Sequence, residues 1–469
     1  MLFPTLTFGL FFLVVFAASW STWSNDWRKI VLLLASWVFY GAWDWRFVPL
    51  LIVSAVINWG AAALIARSDD ARRRKALLTG AIVVNLATLG FFKYFDFLAD
   101  QAGSLLSLVG IEGDPALIQV ILPVGVSFFT FQGISYAVDV FKRTTRPASL
   151  LDILLLMAFF PHLVAGPIVR ASDLVPQFSQ APKLNRGMVS MGLLLIVWGL
   201  FKKAVIASEL STRFVDPVFA SPWMHSQTDL ILAAYAYAVQ IYCDFSAYSD
   251  MAIGIAALLG YRFPRNFDQP YRSASLQEFW RRWHISLSRW LRDYLYIGAL
   301  GGNRGGRFAV YRNLMITMLL GGLWHGAAWT FVIWGGLHGA ALCIERVWAR
   351  SSLTKAWVLP RWAKIVLTFH VVTLGWIFFR AASFDEAMAY LGGIVAPSGG
   401  EMTSVTPLML ALIVFGLAMH AVRADMLSRA AERLRAIPAP AFAICLAVTM
   451  LVVDSMRYEG VAPFIYFRF

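Results

Sequence analysis

The chain has 469 residues, of which 59% are hydrophobic and 14% charged, and a mean hydropathy of +0.65; that is more apolar side chain than one soluble core can bury. A net charge of +13 would suit a nucleic-acid partner, but the basic residues gather in short loops between apolar runs, which is the pattern of a polytopic membrane protein and argues against nucleic acid. Cys243, Cys343 and Cys445 all lie in apolar stretches without paired or metal-type spacing, so neither a disulfide framework nor a metal centre is expected.

The first apolar run, Leu2 to Trp20, has no basic leader and no small-residue cleavage site, and is expected to be a retained first span. Further runs close to the ~20 residues of a spanning helix follow at 30–43, 46–66, 77–94, 118–140, 150–168, 188–208, 229–260, 309–348, 364–380, 404–422 and 437–455. With 229–260 and 309–348 each read as two pieces, the expectation is an all-α membrane domain over 1–469 with about ten to fourteen membrane-embedded helices.

Five positive charges between Arg67 and Lys75, against Asp69 and Asp70, place that loop in the cytoplasm and the N-terminus outside. Arg423, Arg429, Arg433 and Arg435 mark a second cytoplasmic loop, which leaves the aromatic tail Phe464 to Phe469 on the exterior side. Polar groups inside apolar runs are costly and mark function or internal pairing. Gln240 to Asp250 carries Asp244, Asp250 and several hydroxyls, which must face protein or water. Phe160-Pro161-His162-Leu163-Val164-Ala165-Gly166-Pro167 reads as a helix break lining a cavity.

The stretch Gln277 to Gly339 is the most informative. If Trp280 to Tyr294 is one helix, then Trp280, Trp283, Leu287, Trp290, Leu291 and Tyr294 share a face, Arg281, Arg282, Arg289 and Arg292 fall opposite, and His284 lies at the margin of the aromatic face. Such a helix lies in the cytoplasmic interface or re-enters the membrane. Between 281 and 307, six arginines, including Arg304 and Arg307, face the single acid Asp293. They suit an anchor on anionic lipid and equally the docking of a phosphate-bearing acyl carrier.

Beyond them, His325 sits in Gly321-Gly322-Leu323-Trp324-His325-Gly326. An apolar setting keeps an imidazole neutral, the form a general base requires, and the glycines leave room for a substrate. Packing and catalysis both remain open for such a histidine on the residues alone. His338, thirteen residues on, would point to nearly the opposite side of a straight helix and is read as structural. His162, His225, His370 and His420 show no metal-type spacing.

Taken together, Tyr242 to Asp250, Phe263-Pro264-Arg265-Asn266-Phe267, Glu278 to Leu287 and Leu323-Trp324-His325-Gly326 resemble the membrane-bound O-acyltransferase family. More narrowly they resemble its bacterial branch, typified by the alginate O-acetyltransferase membrane subunit and the D-alanyl transfer protein of teichoic acid modification. Phe128-Phe129-Thr130-Phe131-Gln132 and Phe160 to Pro167 also fit, which extends the likeness over nearly the whole chain, with a motif-bearing core at about 118–348. The resemblance implies helices around a central tunnel in a bacterial cytoplasmic membrane. It also implies transfer of an acyl group from a cytoplasmic thioester to an acceptor on the far side. His325 matches the family's catalytic histidine and His284 its supporting position, while Arg281, Arg282, Arg304, Asp244 and Trp324 become candidate substrate-binding residues. No bound cofactor is implied; acetyl-CoA is the expected donor, with an acyl carrier protein as the alternative. The partners expected are membrane lipid and a periplasmic acetyltransferase or esterase-like protein that places the group on sugar.

The ending Phe464-Ile465-Tyr466-Phe467-Arg468-Phe469 reads either as an interfacial aromatic belt or, by likeness to the aromatic C-terminal peptide of a small D-alanylation partner, as an acyl relay through Tyr466. Alternatives for the function are D-alanyl transfer, peptidoglycan or cellulose O-acetylation and, from another class, an ion-coupled transporter using Asp244 and Asp250. The transporter reading lacks an internal repeat, and the Trp-His-Gly site occurs once.

Overall fold

A computed structural model describes residues 3–22, 24–110, 119–351, 359–396, 404–422 and 425–456. Among these residues every regular element is helical and none is a strand. They divide into two compact units, Met1–Leu184 with Ile255–Pro264, and Asn185–Gly254 with Arg265–Phe469.

The first unit holds α1 (Leu6–Trp20), α2 (Asn25–Asp44), α3 (Val48–Arg67), α4 (Ala71–Leu108), α5 (Val126–Phe141) and α6 (Leu150–Ala158). Thr5 and Ser24 start α1 and α2 by accepting from the amides of Phe8 and Trp27, as N-caps do. Helices α2 and α3 are joined by the 3-10 turn Trp45–Phe47, entered through Asp44 with extended backbone, so 30–43 and 46–66 are separate helices as expected. Asp70 caps α4 through the amides of Arg72 and Arg73, which puts the basic cluster in the first turn of a helix rather than in a loop.

The expected break after α6 is present. Phe159 leaves the helical conformation, a short turn Phe160–Leu163 follows, and all four of its residues are buried. The Phe160 amide donates to Ser36 Oγ at 3.2 Å, and His162 Nε2 lies 2.8 Å from Gln132 Nε2 and 3.0 Å from the Leu156 carbonyl. The break therefore packs into the unit's core. Other polar groups here are also paired internally: Lys29 with Asp152 at 2.9 Å, and Asn58 with Asn85 through two reciprocal bonds of 3.2 and 2.8 Å.

The second unit holds α7 (Arg186–Phe201), α8 (Gln227–Leu258) as far as Gly254, α9 (Leu276–Arg282), α10 (Ile285–Trp290), α11 (Arg307–His325), α12 (Trp329–Trp348), α13 (Arg361–Arg380), α14 (Phe384–Val395), α15 (Pro407–Ala418), α16 (Met426–Ala436) and α17 (Ala439–Met456). Wide π-helical turns at Lys202–Ala207 and Ser211–Val215 extend α7, and a third at Leu291–Ala299 extends α10. The run 229–260, expected as two pieces, is one helix of 32 residues; its carboxylates are neutralised from outside, as described below, so they do not interrupt it.

Five helical stretches among the described residues are long and apolar enough to cross a membrane: Asn25–Arg67, Ala71–Leu108, Arg186–Ala220, Gln227–Leu258 and Arg361–Arg380. Pro407–Ala421 with Met426–Ala436, bent by 88°, makes a sixth if taken as one span. The stretch Asn25–Arg67 holds both α2 and α3, and the ten to fourteen embedded helices expected also include pieces too short to span alone, such as α6 with 9 residues.

The run 309–348 forms the hairpin of α11 and α12. Small residues bring the two backbones together. A Cβ on Gly322 would lie 2.2 Å from the Phe331 carbonyl oxygen, and one on Gly335 would lie 2.3 Å from that of Met318, whereas one on Gly336 would meet only Leu319 Cδ2 at 3.7 Å. Gly335→Val should therefore destabilise the protein by at least the ~1–3 kcal/mol of an overpacked core, lowering its melting temperature in detergent. Gly336→Ala should melt as the wild type does.

Candidate active site

The site is built from the α11–α12 hairpin and the broken helix α9–α10. His325 closes α11, and the chain leaves in extended conformation through Gly326 and Ala328 before α12 begins. Three aromatic rings meet the imidazole edge-on: Trp324 at 5.0 Å, Trp334 at 5.0 Å and Phe379 at 5.2 Å between centroids. The side chain is buried, with 5% of its surface exposed. Trp334 comes from α12 and Phe379 from α13, so three helices hold one histidine in an apolar box.

The amphipathic helix expected over Trp280 to Tyr294 is interrupted at His284, whose backbone is left-handed with φ 40° and ψ 57°. A non-glycine residue takes that conformation only when its surroundings enforce it. Here Asn266 supplies the enforcement. Its carbonyl accepts from the Ile285 amide at 2.8 Å. Its Oδ1 accepts from the Ser286 amide at 3.1 Å and from Ser286 Oγ at 2.8 Å, and faces His284 Nδ1 at 3.2 Å. Asn266 Nδ2 in turn donates to Ser249 Oγ on α8 at 3.0 Å. His284 is fully buried, with Phe245 of α8 edge-on at 4.7 Å and Trp324 at 6.0 Å. Trp324 thus touches both candidate histidines.

His338 was expected on the far side of a straight helix from His325. The structure corrects this, because the turn at Gly326 to Ala328 reverses the chain. His338 lies 4.8 Å from Trp334, the ring that also meets His325, and 5.2 Å from Trp280. Neither of its ring nitrogens has a hydrogen-bond partner among the described residues.

The break at His284 also changes the arginine pattern. Arg282, which a continuous helix would turn away from the aromatic face, is paired with Glu278 at 3.1 Å and Asp268 at 3.3 Å, and Arg361 reaches Glu278 at 3.2 Å. Burial pushes the Glu278 carboxyl up, but the Ala274 amide and the Arg282 and Arg361 guanidinium groups outweigh it and hold the group below its usual range. Arg281 and Arg304 are exposed. The apolar face survives in part: Trp283, Leu287, Trp290, Leu291 and Tyr294 are buried.

Asp244 sits in an ion pair with Lys203 at 2.8 Å, and Asp250 in another with Lys202 at 2.7 Å, where Lys202 also donates to Ser246 Oγ at 2.7 Å. Both lysines are buried and stand on the π-helical turn Lys202–Ala207. Sequence reasoning noted the carboxylates and overlooked the lysines, although two cations inside the apolar run 188–208 were the available sign of intramembrane pairing. Asn266 stood within a quoted motif, yet its contacts cross to residues 18 and 20 positions away, which residue type alone does not disclose. Tyr466 lies outside the described residues.

The model of the membrane-bound O-acyltransferase family matches residues 38–384. The chain is 38% identical, over the full length of both proteins, to a probable alginate O-acetylase from Azotobacter vinelandii. A peptidoglycan O-acetyltransferase from Helicobacter pylori is 37% identical over 79% of this chain and 74% of that one. A teichoic acid D-alanyltransferase from Streptococcus thermophilus is 27% identical over 57% of this chain and 70% of its own.

The buried pairs beside the site give a direct test of what holds α8. Removing one partner of a buried pair leaves an uncompensated charge and costs about 3–5 kcal/mol, whereas replacing both with apolar residues is near neutral. Lys203→Met should accordingly lower the thermal stability in detergent strongly, and Lys203→Met with Asp244→Leu should recover most of the loss.

Proposed function

The chain belongs to the membrane-bound O-acyltransferase family and is a multi-pass membrane O-acyltransferase, and from that premise we propose that it carries acetyl groups outward. In this reading the donor is acetyl-CoA on the cytoplasmic side, the acceptor lies outside, and the product is an O-acetylated exported polysaccharide such as alginate. The observation that carries the proposal is the enclosure of His325 by Trp324, Trp334 and Phe379, beside a second buried histidine in a chain 38% identical to a probable alginate O-acetylase.

The chemistry follows from that enclosure. A donor thioester carbonyl beside neutral His325 is attacked by a hydroxyl whose proton passes to the imidazole. The tetrahedral intermediate collapses, the C–S bond breaks, and the departing thiolate takes the proton back, leaving an ester and a free thiol. General-base assistance of this kind contributes on the order of 10²–10⁴ in rate, and the aromatic walls exclude water that would hydrolyse the thioester. Exposed Arg281 and Arg304 are suited to the phosphates of the donor.

The relatives named above are named for three different polymers, alginate, peptidoglycan and teichoic acid. That range supports a division of labour in which this chain moves the acyl group and a periplasmic partner recognises the polymer. Tyr466, on a tail that charge places outside, is the proposed first acceptor.

Purified protein in lipid, given isotope-labelled acetyl-CoA, should release CoA and label the C-terminal peptide at Tyr466. His325→Ala should abolish both while leaving the thermal melt unchanged, and Tyr466→Phe should abolish the tail label. CoA release that persists in His325→Ala would remove His325 as the base. Turnover that occurs only with an acyl carrier protein would replace the donor.

A further inference from the structure

The contacts of Asn266 decide where the proton on His284 sits. A backbone amide can only donate, so the side-chain atom of Asn266 facing the Ser286 amide at 3.1 Å is its oxygen, not its nitrogen. Ser286 Oγ donates to the same oxygen at 2.8 Å. His284 Nδ1 faces that oxygen too, at 3.2 Å, and two such atoms can share a hydrogen bond only if the nitrogen carries the proton. A neutral imidazole protonated at Nδ1 has its lone pair on Nε2. Nε2 is buried and has no hydrogen-bond partner among the described residues. Its ring is flanked by Phe245 and by Trp324, the neighbour of His325.

We infer that Asn266 is a positioning residue: it fixes His284 in the Nδ1–H tautomer and so presents the Nε2 lone pair as the acceptor for an N–H or O–H of the bound ligand other than the hydroxyl that is to be acylated. His284 then holds the ligand through that second donor while His325 removes the proton of the attacking hydroxyl. The left-handed backbone at His284 belongs to the same device, because the two Asn266 oxygens together hold residues 284–286 in the turn that aims the ring. An unpaired acceptor in a dry interior is costly, and a ligand N–H or O–H satisfies it. The tautomer stands independently of the proposed acetyl transfer; the role of the lone pair rests on it.

The test separates the two. Solid-state NMR of the full chain in lipid, with ¹⁵N-labelled histidine and His284→Ala to identify the resonances, should show His284 protonated at Nδ1. Asn266→Leu should remove that signature and reduce transfer by on the order of 10²-fold. Asn266→Asp keeps an oxygen facing the Ser286 amide and should retain both the Nδ1 proton and at least roughly a tenth of the rate, as general-base geometry is preserved. In a His284→Ala background, Asn266→Leu should cause no further loss of transfer, whereas a merely structural Asn266 would add its own. A wild-type His284 protonated at Nε2 overturns the inference whether or not any variant folds, as does an Asn266→Leu protein that keeps the tautomer or the rate. If wild type does not use acetyl-CoA, the proposed donor fails while the NMR result still decides the tautomer.

Discussion

Polar groups that cannot reach water must find their partners in the protein, and the second unit is arranged around that constraint. Helix α8 carries two carboxylates through an apolar run, and it stays a single helix because Lys202 and Lys203 meet them from the π-helical turn after α7. With those charges settled, α8 offers its neighbouring residues to the site: Phe245 against His284 and Ser249 to Asn266. An ion pair that looks remote from the chemistry thereby sets the wall on which one of the two histidines rests.

Helix interruptions do the remaining positioning. A continuous helix from Trp280 to Tyr294 would carry His284 at the edge of an aromatic face; the left-handed residue instead turns it inward to full burial, with Asn266 supplying the hydrogen bonds that the broken ladder forgoes. The turn at Gly326 to Ala328 does the equivalent for His325 and His338, folding a forty-residue apolar run back on itself so that Trp334 stands between them. In both places the backbone departs from regularity where the polar side chains gather, and both departures are covered by protein.

The proposed transfer asks for a neutral base in a dry surround and an anionic donor held nearby. Aromatic rings from α11, α12 and α13 keep the surround of His325 dry. The arginines outside the aromatic layer are of two kinds. Arg282 is committed to Glu278 and Asp268, where it ties α9 to the segment bearing Asn266. Arg281 and Arg304 are exposed, as the proposed docking of an anionic donor requires.

Much of this was legible in the residues. Hydropathy gives the helical membrane class, Pro and Gly mark the break after α6, and the glycine- and tryptophan-flanked His325 singles itself out, because each of these signals is carried within a turn or two of chain. The misplacement of His338 and the continuous α9–α10 helix came from extending a regular helix across residues whose backbone is set by distant contacts. The Lys202–Asp250 and Lys203–Asp244 pairs span 48 and 41 positions by number, and no local pattern says which cation meets which carboxylate. The sequence by itself determined that the chain is helical, membrane-embedded and equipped with buried histidines, since transfer free energies and residue chemistry are properties of the residues. Only the tertiary structure decided which histidines share an aromatic wall, which charges cancel and which nitrogen of His284 faces Asn266, since hydrogen bonds act over about 3 Å and that proximity is created by folding.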